Sequence, residues 1–282
     1  MKMIKCISYW STKDGLAGKT TIEEALRVTR EAGFAGLELC IGTDGVLTTS
    51  TSQADCEAIR KKIDASGVIV ETLASGMCWG FNPTSDDPAV RQKSIELHSD
   101  ALQRAAWLGC RAMLYVPGVV KSPICPDVVR YDIAVERARE GVKKLLDVAE
   151  KVGVDLCVEN VWNGMFYSPL EFIQFIDSFG SKRLGVYFDV GNGMGYHQHP
   201  PHWIELLGKR IKRVHIKDYN LNFGWLGAYS FCDLGAGQVP WAEVMDALRG
   251  VGYNATLVAE MMPWDPGTLA RTSAALDVIM RM

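Results

Sequence analysis

Apolar positions recur along this chain in two alternating rhythms. Short runs rich in Val, Ile, Leu, Tyr and Phe read as strands near 3–8, 35–40, 67–74, 111–117, 154–160, 184–190, 211–217 and 255–262. The stretches between them carry apolar residues at the i, i+3/i+4 spacing of amphipathic helices, near 21–32, 52–66, 87–109, 130–152, 168–179, 201–208, 240–249 and 267–281. Glycine marks the helix-to-strand joints at Gly33, Gly67, Gly109, Gly153, Gly180 and Gly252, where a left-handed residue ends a helix cheaply. Helix starts carry Thr20 or Thr21 ahead of Ile22, and Ser168 ahead of Pro169.

Eight strand–helix units in 282 residues suit right-handed βα crossovers onto a parallel sheet, and their number favours closure into a (β/α)8 TIM barrel. A doubly wound open sheet is the alternative, but it would typically place a glycine-rich phosphate turn after the first strand, where this chain has Ser8-Tyr9-Trp10-Ser11-Thr12. No low-complexity run or linker divides the chain, so residues 1–282 are expected to form one barrel domain. In such a barrel the active site lies at the carboxyl ends of the strands.

Those ends carry Glu38, Glu159-Asn160, Asp189, His215 in Val214-His215-Ile216-Lys217-Asp218, and Glu260. Strands five to eight each end in a side chain that can bind a metal. Alternation along strand eight sets Leu257, Ala259 and Met261 on one face and Thr256, Val258 and Glu260 on the other, so Glu260 points inward while the first set packs on helices. Three carboxylates and one imidazole converging in a barrel mouth would repel one another without a partner, and a divalent cation removes the problem. Three oxygens and one nitrogen suit Mn2+, Mg2+, Co2+ or Zn2+.

Composition narrows the field further. With 30 Lys+Arg against 33 Asp+Glu the formal net charge is -3, which argues against a nucleic-acid module, and 48% hydrophobic residues provide a sizeable core. No apolar run approaches the ~20 residues that span a bilayer and the first residues lack a signal-peptide core, so a cytoplasmic protein without a membrane partner is expected. The eight cysteines are scattered without a C-x-x-C pair and are read as buried free thiols. His98 falls inside the third helix as a structural residue, and His197, His199 and His202 sit in a Pro-rich surface stretch. Trp10, Trp79, Trp162, Trp225 and Trp264 follow strands on the catalytic side, where flat apolar faces suit the C–H faces of a sugar or an interface between copies of a homo-oligomer.

The strings Val158-Glu159-Asn160, Tyr187-Phe188-Asp189-Val190-Gly191-Asn192, Val214-His215-Ile216-Lys217-Asp218 and Gly235-Ala236-Gly237-Gln238-Val239-Pro240-Trp241 resemble those of the xylose-isomerase-like sugar isomerase/epimerase family. The resemblance covers nearly the whole chain. It implies one divalent ion, Mn2+ before Mg2+, Co2+ or Zn2+, held by Glu159, Asp189, His215 and Glu260 and acting on a small-molecule keto sugar. It also implies that Glu159 and Glu260 exchange the substrate proton through an enediolate, on opposite faces of the sugar. Glu38, Trp162, Asn163 and Lys217 are expected to meet substrate hydroxyls, with Asn160 and Asp218 orienting the ligands. Two positions depart from many family members: Asn192 stands where a histidine is common, and Leu221 where ketose 3-epimerases place an arginine. Alternatives at the same site are a metal-dependent lyase or dehydratase on a keto sugar, inosose or 3-keto glycoside, and a non-catalytic sugar-binding barrel.

Overall fold

The computed structural model describes residues 3–221 and 230–282. Eight parallel strands close into a barrel: β1 (Ile4–Ser8), β2 (Gly36–Ile41), β3 (Thr72–Ser75), β4 (Ala112–Tyr115), β5 (Asp155–Glu159), β6 (Leu184–Asp189), β7 (Ile211–Ile216) and β10 (Thr256–Ala259). Closure is made by β1 pairing with both β2 and β10. Between them run α1 (Ile22–Glu31), α2 (Gln53–Ser66), α3 (Pro88–Trp107), α4 (Tyr131–Val152), α5 (Pro169–Asp177), α6 (Pro200–Leu207) and α7 (Trp241–Gly250), with α8 (Thr268–Ile279) after the last strand. The closed (β/α)8 barrel expected from the eight repeats is present.

Capping chemistry places the helix boundaries. Thr21, Ser52, Asp87 and Ser168 each accept a hydrogen bond from a backbone N–H in the first turn of the helix they precede. Strand alternation sorts the interior into two cores. Leu37, Leu39, Leu73, Met113, Leu156, Val158, Phe188, Val214, Ile216, Leu257 and Ala259 pack outward against the helices. Ala74, Ala112, Leu114, Cys157 and Tyr187 fill the barrel itself, together with Cys78 and Val116. Glu260 lies at the barrel mouth, one position beyond the β10 alternation that sends Leu257 and Ala259 outward.

The strand expected at 67–74 is shorter, because only Ile69 bridges to Gly36 before regular pairing begins at Thr72. A second difference follows β7. The sequence reads 211–217 as one strand, but pairing passes at Lys217 into an antiparallel hairpin of β8 (Asp218–Asn220) and β9 (Ser230–Cys232). Among the described residues no helix is long and apolar enough to cross a membrane. All eight cysteines are free.

Candidate metal centre and its surroundings

Glu159 ends β5, Asp189 ends β6, His215 lies next to the end of β7 and Glu260 follows β10. Register brings them level: Asp189 pairs with His215, and Val258, two residues before Glu260, pairs with His215 as well. All four are buried, and one ligand atom from each lies within 4.8 Å of the others. Nδ1 of His215 faces Glu260 Oε2 at 3.0 Å, Glu159 Oε1 at 3.2 Å and Asp189 Oδ2 at 3.8 Å.

The opposite ring nitrogen, Nε2, lies 2.8 Å from Glu38 Oε1, and the other Glu38 oxygen accepts the hydroxyl of Tyr187. With Glu38 as the acceptor for Nε2–H, the lone pair of His215 is on Nδ1, pointing at the three carboxylates. Glu38 is fully buried beneath this imidazole, so it does not reach the mouth as a substrate contact; it orients His215 instead. Tyr187, whose ring lies 4.4 Å from that of His215, is a further residue of the site; it stands two residues before Asp189 and therefore on the same face of β6, the one sequence signal that marks it.

Asn160 clamps the ends of β5 and β6. Its amide donates to the Asp189 carbonyl and accepts from the Asp189 N–H, both at 2.8 Å. Asn192 joins the clamp: its backbone N–H donates to Asp189 Oδ1 and its side chain donates to the Asn160 carbonyl. Asn160 thus fixes the backbone of Asp189, one of the residues it was expected to position. The clamp satisfies one Asp189 oxygen and leaves Oδ2 fully buried without a hydrogen bond, although Lys217 Nζ lies 3.0 Å away as an ion pair. An orphaned carboxylate oxygen aimed at two other carboxylates and an imidazole lone pair fits a divalent cation with hard oxygen ligands.

Charge points the same way. Glu38, Glu159, Asp189 and Glu260 crowd around one fixed cation, Lys217, and the His215 imidazole. With the carboxylates ionised and His215 neutral, as a metal ligand must be, three negative charges stay uncompensated, and a divalent ion would offset two of them. Burial pushes the Glu159 carboxyl up to about 7 against the pull of His215 and Lys217. Burial would also raise Glu260, but Lys217, 2.7 Å away, and His215 outweigh it and hold that carboxyl at about 2. For His215 burial opposes the charge, yet Glu38 and Glu260 prevail and raise it well above the usual imidazole range, and an ion bound at Nδ1 would have to displace that proton.

The remaining candidates fall in different places. Lys217 is at the site, between Asp189 and Glu260, with Nζ 5.5 Å from the centre of the Phe231 ring. Trp162 is beside it, stacked on Phe231 at 5.0 Å and anchored by its indole N–H to the Asn192 carbonyl at 2.9 Å. Asn163 is not: its buried amide donates to the Gly118 carbonyl and accepts from the Met165 N–H, tying the loop after β5 to the loop after β4. Asp218 orients a loop rather than a ligand. Its buried carboxylate accepts from the N–H groups of Tyr219, Gly235, Gly237 and Val239 and from the indole of Trp241. At Gly237 a Cβ would stand 2.1 Å from Asp218 Oδ1, which is why that turn needs glycine. His199 pairs with Glu243, and His98 is buried between α3 and Tyr115. Trp264 is half-buried after β10, while Trp225, with Phe223 and Tyr229, lies outside the described residues.

Comparison with known proteins agrees with the barrel fold. The profile of the family described as xylose isomerase-like TIM barrel matches residues 26–278. The chain belongs to that family. Within it, the chain is 24% identical over 240 residues to the L-ribulose-5-phosphate 3-epimerase UlaE of Salmonella paratyphi A, covering 84% of this chain and 81% of that protein. Its fold matches D-psicose 3-epimerase from Clostridium cellulolyticum H10 with a TM-score of 0.77 at 20% identity, over 99% of each chain. It also matches the 3-keto-D-glucoside 4-epimerase YcjR of E. coli with a TM-score of 0.75 at 16% identity, again over 99% of each chain.

Proposed function

We propose that this protein is a metal-dependent epimerase of a keto sugar or sugar derivative, working in the cytoplasm on a small-molecule substrate. The observation that carries the reading is the convergence of Glu159, Asp189, His215 and Glu260 within 4.8 Å in the barrel mouth. These four residues would hold one divalent ion, with Mn2+ preferred and Mg2+, Co2+ or Zn2+ as substitutes. When bound, the ion supplies positive charge that stabilises the negative charge developing on neighbouring sugar oxygens as an enediolate forms.

The rest of the chemistry belongs to the chain. β5 and β10 flank β6 and β7 in the barrel, so Glu159 and Glu260 stand at the two ends of one arc. From there one carboxylate takes the proton from the carbon beside the carbonyl and the other returns a proton to the opposite face, which inverts that centre. Asp189 and His215 would help hold the ion level with the two glutamates, the first clamped by Asn160 and Asn192, the second by Glu38. Trp162 and Phe231 offer stacked flat faces to the sugar C–H bonds. The relatives named as sugar epimerases support the reaction class.

The test is deuterium exchange. EDTA-stripped and Mn2+-reloaded protein are incubated in D2O with ketoses, ketose phosphates and 3-keto glycosides, and products are read by NMR. Metal-dependent deuterium at the carbon next to the carbonyl, with an epimeric product, is expected. Exchange that is indifferent to metal, or none with any of these sugars, overturns the proposal.

A further inference from the structure

A cavity of about 800 Å³ opens from Glu260 across the loops that follow β1, β2 and β3. Its walls include Trp10, Trp79, Phe81, Met77, Ile124 and Met262. Each indole approaches Gly76, where a Cβ would stand 3.7 Å from Trp10 Cζ2 and 3.6 Å from Trp79 Cδ1. Toward solvent the wall stays apolar: Ile124 is 61% exposed and Leu16 67%. Among its described lining residues the cavity has no Lys, Arg or His, and its only carboxylates are Asp44 and Glu260.

Each feature constrains the occupant. A cavity of this volume accommodates a drug-sized ligand and is far larger than a free five- or six-carbon sugar requires. Apolar and aromatic walls gain by covering apolar surface and would leave sugar hydroxyls beyond the catalytic ring without partners. A phosphate ester would lose its hydration beside two carboxylates and find no cation here, since Lys217 is committed to Asp189 and Glu260.

We infer that the substrate is an uncharged keto glycoside carrying a flat, apolar aglycone, with the keto ring at Glu159 and Glu260 and the aglycone against Trp10 and Trp79. This rests on the epimerase reading for the position of the ring, and on the cavity alone for the aglycone. A phosphorylated ketose is disfavoured, in contrast to the substrate that the name of the Salmonella relative specifies.

The experiment measures calorimetric Kd on Mn2+-loaded enzyme for methyl 3-keto-glucoside, 4-nitrophenyl 3-keto-glucoside and L-ribulose 5-phosphate, with deuterium exchange read on the same samples. The nitrophenyl glycoside should bind at least about 10-fold more tightly than the methyl glycoside, a preference of the size that burying one aromatic group confers. That ratio should fall below about 3-fold in Trp79→Ala and in Ile124→Asp, the latter a change at an exposed wall position that spares the fold. Equal affinity for the two glycosides, tighter binding of the sugar phosphate, or an unchanged ratio in both variants overturns the inference. So does a change of oligomeric state in Trp79→Ala with no change in ratio, which would assign the face to a second copy of this chain. An aryl preference without deuterium exchange would uphold the cavity and reject the epimerase reading, whereas exchange without the preference would do the reverse.

Discussion

On the side of the mouth built by β5, β6, β7 and β10, every strand delivers a buried side chain that could ligate a cation, and each is held by further hydrogen bonds or ion pairs. On the side built by β1, β2 and β3 the strands end in Ser8, Ile41 and Ser75, and the loops beyond them contribute Trp10, Leu47, Met77, Trp79 and Phe81 to the wall of a mostly apolar cavity. The reactive half is built from strand ends whose positions follow from pairing and alternation. The other half is built from loops, whose contents are free to change without disturbing the register that sets the chemistry. One barrel can therefore keep the four-residue cluster while its loops decide what is presented to it.

Breaking the acidic half should have the largest effect. Glu260→Gln removes a carboxylate that contacts both Lys217 and His215, and turnover should fall on the order of 1,000-fold or more, with far-ultraviolet circular dichroism unchanged. Unaltered turnover would remove Glu260 from the chemistry. Asp218→Ala attacks the loop joined to that half, stranding five N–H donors that share one buried carboxylate. A loss on the order of 4 kcal/mol in urea unfolding is expected.

A third prediction concerns a residue of neither half. His98 is buried, with Nδ1 bonded to the Ser94 carbonyl and Nε2 without a partner, and burial pushes its imidazole down from 6.5 to about 4. The folded protein refuses a proton that the unfolded chain accepts. The His98 contribution should therefore be constant above pH 6.5 and decline by up to about 3 kcal/mol as the pH falls to about 4. Comparing the pH dependence of unfolding with that of His98→Gln checks this, since the variant should lack that component. The smallest expected effect is at a residue that β2 sends across to the acidic half: Glu38→Gln keeps the shape but weakens the acceptor for His215, and Mn2+ affinity should drop about 10- to 100-fold. Equal affinity would mean that His215 needs no orienting partner.

The parts legible from sequence were those governed by periodicity. Alternation in β10 sent Leu257 and Ala259 outward, and four strand ends in a row gave Glu159, Asp189, His215 and Glu260. Asn163 and Asp218 misled because a buried polar side chain near a strand end looks the same in sequence whether it faces a ligand or bonds a distant loop, as both do here. Glu38 was found, but its role depends on the 2.8 Å approach of an imidazole 177 positions away in the chain. The hairpin of β8 and β9 escaped because its short strands continue or lie far from the β7 pattern, and the apolar cavity is assembled from loops that share no period.

The most direct measurement is calorimetric titration of EDTA-treated protein with Mn2+, beside Asp189→Asn and Glu159→Gln. The account predicts saturable binding of one ion per chain, severely weakened in both variants, because each loses a carboxylate oxygen of the four-residue cluster. No saturable binding, or binding that both variants retain unchanged, would contradict it.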